Sequence, residues 1–120
     1  MIRQEDLQEL LQFEADEGDV VSLFLDADTS QQTSELVKKQ ARALLKEAGD
    51  IGQDALAIEQ YLDFSYDWNM PGLAIFSCSR QEFFKAYTSA VAFRNRVRVN
   101  NKPYLKPLSH LLDHYAHFGV

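Results

Sequence analysis

The sequence holds a single cysteine, Cys78, so no disulfide closes within it. It has no apolar run near the roughly 20 residues that span a bilayer. Its opening, Met1-Ile-Arg-Gln-Glu-Asp6, is polar and lacks the apolar stretch of a secretion signal. These absences make the cytoplasm the expected compartment and a membrane an unexpected partner. The glycines of Gly49-Asp-Ile-Gly-Gln53 fit no nucleotide-binding fingerprint, so that stretch reads as a helix-breaking loop. No repeat, linker or low-complexity segment interrupts the chain, and no catalytic motif stands out. Neither a cofactor nor a metal is expected.

The composition itself is ordinary. Hydrophobic residues at 46% and charged residues at 25% argue for a folded globule rather than disorder. At 120 residues the chain is long enough for one domain with one core. Its charge, however, is segregated. Met1 to Met70 carries 16 acidic and 5 basic side chains, whereas Pro71 to Val120 carries 2 acidic and 7 basic. Five of those basic residues, Arg94, Arg96, Arg98, Lys102 and Lys106, fall within thirteen positions. The overall charge of −6 argues against adhesion of the whole molecule to nucleic acid, but a local basic strip is compatible with it.

Hydrophobic periodicity sketches the elements. Leu7, Leu10 and Leu11 follow helical spacing and predict a short amphipathic helix over about residues 4–14. The acidic run Glu14 to Asp19 is a solvated turn. Val20-Val-Ser-Leu-Phe-Leu25 is nearly all apolar and reads as a strand covered on both faces. Thr33 and Ser34 are N-cap candidates for a helix built on Val37, Ala41, Leu44, Leu45 and Ala48 and stopped by Gly49. Asp54 to Phe64 reads as a second helix, with Ala55, Ile58 and Leu62 on one side. Asn69-Met-Pro-Gly72 is a turn, and Leu73 to Cys78 a further apolar strand. Strand, two helices and strand predict a right-handed crossover and a parallel pair. Glu82 to Thr88 forms a hairpin with the preceding strand, and Arg96 to Val99 is the next strand. Lys102 onward enters a last helix with Leu105, Leu108, Leu112 and Tyr115 on its buried face. The expected fold is therefore α/β, α+β-like: a mixed sheet of four to five strands with helices packed on it, in a single domain.

The basic strip has two readings. In extended backbone Arg94, Arg96 and Arg98 point to one side, able to meet about three phosphates, with Asn95, Asn100 and Asn101 as uncharged donors. Otherwise the strip is a solvated edge strand that charge protects against aggregation. His110, His114 and His117 form a stripe at i, i+4 and i+7, a spacing that chelates metals but lacks the glutamate of a metalloprotease motif, so an exposed polar face is the plainer reading. Cys78 at a strand end is a nucleophile or a small buried apolar group. Asp26 and Asp28 end a strand where ligands bind in many α/β folds, or they cap a loop.

Three blocks carry a resemblance: Val20 to Asp28, Gly72-Leu-Ala-Ile-Phe-Ser-Cys78, and Phe93 to Tyr115 with Asn101-Lys-Pro-Tyr-Leu-Lys-Pro-Leu-Ser-His-Leu-Leu-Asp113. Over about residues 18–120 the chain resembles the N-terminal domain of the bacterial members of the archaeo-eukaryotic release factor family. These are relatives of the class-one factor that ends translation in eukaryotes and archaea. The resemblance implies a three-domain protein whose middle domain hydrolyses peptidyl-tRNA through a Gly-Gly-Gln loop. Two departures limit what it implies. The chain has no Asn-Ile-Lys-Ser loop for stop-codon reading, and Gly52-Gln53 lacks the first glycine of the hydrolytic loop. What remains is a recognition or adaptor domain facing the ribosome or tRNA, in termination or ribosome rescue, and not itself an enzyme. Its contact residues are expected to be Arg94, Arg96, Arg98, Lys102 and Lys106. The chain, residues 1–120, is expected to be the front domain of a longer protein. The alternatives are a protein-interaction module that uses the acidic face from Glu5 to Asp28, or a small hydrolase that uses Asp26, Asp28 or Cys78.

Overall fold

Val20–Asp26, the strand β1, organises the molecule because six of its seven residues are buried. Alternation sends Val21, Leu23 and Leu25 to one face of the sheet and Val20, Ser22 and Phe24 to the other. A strand that is apolar on both faces demands a layer on each side, and the chain supplies two. The computed structural model describes residues 2–16 and 18–109.

The first layer is a helical pair. Helix α2, Ser34–Glu47, begins where the Thr33 hydroxyl accepts the Leu36 N–H at 3.1 Å, and it buries Val37, Ala41 and Leu45. Gly49, at φ 95°, ends it in the left-handed region that glycine enters freely. Helix α3, Gly52–Gln60, buries Ile58 and runs on into a π-helical turn, Tyr61–Ser65, that buries Leu62. The second layer, on the opposite face, is helix α1, Gln4–Gln12, through Leu7 and Leu10, joined by Phe13, Phe93, Tyr104, Leu105 and Leu108.

The sheet adds β2, Gly72–Cys78, β3, Phe83–Ser89, and β4, Arg96–Asn100, in the spatial order β3-β2-β1-β4. The result is the expected single domain of helices on a four-stranded sheet, of α+β type. One expectation is corrected. The pairing of β1 with β2 is antiparallel, as is every pairing among the described residues, so the sheet is not mixed. The reason is directional. A single helix between two strands returns the chain to the end where it started and makes a parallel pair. Here α2 runs the length of the sheet and α3 runs back, so β2 starts beside the end of β1: the Ala27 N–H donates to the Pro71 carbonyl at 2.7 Å.

The expected hairpin of β2 and β3 is present, closed by a 3-10 turn at Ser79–Gln81. From Ser89 at one edge the chain then crosses the molecule to begin β4 at the other. It passes so close to Gly72 that a Cβ there would collide with the Val91 carbonyl oxygen. Phe93 packs edge-on against Phe24, with ring centres 5.3 Å apart. Asn95 fixes the end of the crossing: its Oδ1 accepts the Asp26 N–H at 2.7 Å and its Nδ2 donates to Gln40 at 3.1 Å. Of the expected last helix the described residues hold the start, a 3-10 turn at Lys106–Leu108 in which Leu108 is buried. Leu112, Tyr115 and the stripe of His110, His114 and His117 lie outside the described residues.

Candidate nucleic-acid interface

Strand β4 pairs only with β1 among the described residues, so it forms an edge of the sheet. Its valines, Val97 and Val99, face the layer of α2 and α3. Arg96 and Arg98 stand opposite Phe24 and Ser22 in the register and therefore share the other face. There they meet Tyr104. Arg96 Nη1 donates to the Tyr104 hydroxyl at 3.3 Å, and the guanidinium of Arg98 lies 5.2 Å from the centre of the same ring. Tyr104 is itself held, since its N–H donates to Ser22 Oγ at 2.9 Å and its ring meets Phe24 at 6.2 Å. Ser22 is the one polar side chain of β1 that is fully buried, and this hydrogen bond answers its burial. A tyrosine fixed to the central strand thus pre-orders two arginines of the edge strand.

The other expected site residues are placed differently. Arg94 is exposed and precedes the strand, in the crossing segment. Lys102 pairs with Glu14 at 3.7 Å, both side chains being more than half exposed, an ion pair worth little in water. Lys106 is exposed on the 3-10 turn. Among the described residues no carboxylate forms an ion pair with Arg94, Arg96, Arg98 or Lys106. A shallow groove of about 370 Å³ runs along Arg94 to Arg98 beneath Leu44 and Glu47, and Glu47 is the carboxylate that borders it. The asparagines divide. Asn95 uses both ends of its amide within the fold, whereas Asn100 and Asn101 are exposed.

Tyr104 is the member of this cluster that residue spacing alone did not single out. Its position after Pro103 was visible in the sequence, but its contact with Ser22 joins positions 82 apart.

The remaining candidates take structural roles in their surroundings. Asp26 accepts the Asp28 N–H at 3.1 Å, and Asp28 accepts both the N–H and the hydroxyl of Ser30, at 3.0 and 2.6 Å. The pair caps a loop, and the Ser30 hydroxyl and backbone N–H hold the Asp28 carboxyl below its ordinary range. Cys78 is fully buried, and burial pushes its thiol up, away from the reactive thiolate. The loop of Gly49 to Gln53 borders a cleft of about 830 Å³, together with Asp19, Ser79 and Arg80. At its floor Asp54 is engaged from within. It accepts the Ser77 hydroxyl at 2.5 Å and the Ser79 N–H at 2.9 Å, tying the turn between β2 and β3 to α3. Among the described residues no group of three or more His, Cys, Asp or Glu is arranged to hold a metal ion, and no helix is long and apolar enough to cross a membrane.

No family model matches the chain, and no curated protein matches it.

Proposed function

We propose that the chain is a recognition domain that meets RNA phosphates along β4, and that it acts on the ribosome or tRNA in termination or ribosome rescue, as its resemblance to release-factor N-terminal domains implies. The observation that carries the reading is the set of arginines Arg94, Arg96 and Arg98, which no carboxylate neutralises among the described residues, two of them held by one tyrosine on an open sheet edge. Arginine meets phosphate in a planar, two-pronged fashion, and a guanidinium already restrained by an aromatic ring loses less freedom on contact. Tyr104 is half-buried and offers the remainder of its ring beside these cations as a surface on which an unpaired base stacks. Lys102 and Lys106 add longer-range attraction. No chemistry is proposed for the domain itself; hydrolysis of peptidyl-tRNA belongs to a separate middle domain in this reading.

Co-sedimentation with ribosomes across a salt series tests it, with the triple variant Arg94/Arg96/Arg98→Glu alongside. Three phosphate contacts predict a slope of about −2 for log affinity against log salt. The triple variant is expected to remain in the supernatant. Failure of the unmodified domain to bind at low salt, or equal binding by the triple variant, overturns the assignment.

A further inference from the structure

The opposite edge of the sheet has the reverse character. Strand β3 pairs only with β2 among the described residues and runs seven residues, long enough to present a row of backbone groups to an added strand. Beside it lies an apolar groove of about 550 Å³, lined by Ala57, Gln60, Tyr61, Phe64, Ser65 and Phe84. Phe64 is 84% exposed, the most exposed of the large apolar side chains among the described residues. It sits on the π-helical turn, whose wider winding carries it off the buried stripe of Ile58 and Leu62. Phe84 reaches the groove because alternate residues of β3 face this layer, and its ring lies 5.7 Å from Tyr61.

The charge around the groove is of one sign. From Gly52 to Met70 the chain carries Asp54, Glu59, Asp63 and Asp67 and no lysine or arginine. Asp54 is buried and engaged, which leaves three carboxylates at the surface. Of these three, Asp63 is paired with a cation: Lys38 of α2 lies 3.4 Å from it and shares its charge with Glu35, also at 3.4 Å. Burial, reinforced by the charge of Asp67, raises the phenols of Tyr61 and Tyr66. The one lysine of β3, Lys85, turns to the other face and pairs with Glu9 at 3.3 Å.

We infer that this edge docks an extended, positively charged segment of another protein, which adds a strand to β3 and places a bulky apolar side chain against Phe64, Tyr61 and Phe84. Backbone pairing supplies affinity, the groove selects every second side chain, and the surrounding carboxylates select for lysine or arginine.

The probe is a seven-residue peptide in which lysine alternates with valine and a central phenylalanine, followed by amide chemical shifts of the whole chain. Shifts are expected along Phe83–Ser89 and at Tyr61 and Phe64. Replacing the peptide's lysines by glutamate is expected to weaken binding by at least about tenfold. Phe64→Ser leaves circular dichroism unchanged, since the side chain is exposed, and weakens binding by about tenfold or more. Gln60→Lys, a cation added to the groove without loss of the ring, weakens it by a smaller factor. Shifts confined to other surfaces, equal binding by Phe64→Ser, or equal binding of the glutamate peptide overturn the proposal. So does a dimer in sedimentation velocity that Phe64→Ser abolishes, because the groove is then occupied by a second copy.

Discussion

The two edges of this sheet solve the same problem in opposite ways. Each leaves a row of backbone groups open among the described residues. At β4 the edge carries arginines, and Tyr104 fastens two of them to the central strand. At β3 the edge carries aromatic surface, and the chain next to it carries carboxylates. Charge alone is enough to blunt an edge. A fixed aromatic scaffold under the arginines, and an exposed phenylalanine beside the carboxylates, go further than that purpose requires. The contrast also lies in how each is supported. The β4 surface depends on contacts that pass through the core, whereas Phe64 stands free of it.

Substitutions that separate the two edges put this contrast to the test. The largest effect is expected of Phe24→Ala. Phe24 is fully buried and meets Phe76, Phe93 and Tyr104, so its loss is expected to cost about 3–5 kcal/mol in urea unfolding. It also removes the support of Tyr104, so ribosome binding is expected to fall at protein concentrations and temperatures where the variant is still folded, while the response of Phe64 to the basic peptide persists. Equal loss at both edges breaks the comparison. Next is Asp54→Ala, which frees the turn that leads into β3. It leaves the Ser77 hydroxyl buried without its acceptor and is expected to cost about 1–3 kcal/mol, with faster hydrogen exchange at Ser79 and along β3 and little change at β4.

An effect confined to alkaline solution comes third. The Tyr87 hydroxyl of β3 is buried without a hydrogen-bond partner among the described residues, and burial, reinforced by Asp6 and Glu9, pushes its phenol up to about 12 from 10.0. The folded form therefore holds the proton that the unfolded chain releases. The stabilisation is whole below pH about 10 and is lost as pH rises through about 12. Unfolding followed across that range is expected to show the loss, and Tyr87→Phe is expected to diminish it. The smallest effect belongs to Tyr104→Phe. It keeps the ring under Arg98 and removes the acceptor of Arg96, a long hydrogen bond at a half-buried site worth at most about 0.5 kcal/mol of stability. RNA affinity is expected to fall slightly, and further in Tyr104→Ala; equal affinities for all three proteins would detach the tyrosine from the interface.

The elements were legible in the sequence because periodicity is a local property. Val37, Ala41 and Leu45 mark the buried face of α2, and the apolar runs of β1 and β2 announce strands covered on both sides. The sense of the first strand pair was not legible by the same means, because it depends on how many helices intervene and which way each one runs. The clustering of Arg94, Arg96 and Arg98 was likewise plain from spacing. The partner that orders two of them was not, because Tyr104 reaches Ser22 across a stretch of chain that no window of sequence spans. At the other edge a signal existed: Phe64 falls off the stripe of Ile58 and Leu62, and an aromatic residue off the stripe is an exposed one.

The place of β4 has a consequence for how the chain comes together. Its partner β1 is buried at six of its seven residues, and Leu23 waits for Val97 to cover its open side. During synthesis from the N-terminus, Val20–Asp26 emerges long before that cover exists. Pairings so distant in sequence are slow to form, and an apolar strand left open in the meantime is a template for self-association. Delay in docking β4 is therefore expected to divert new molecules into aggregates, so that replacing the valines of β4 lowers yield as well as stability.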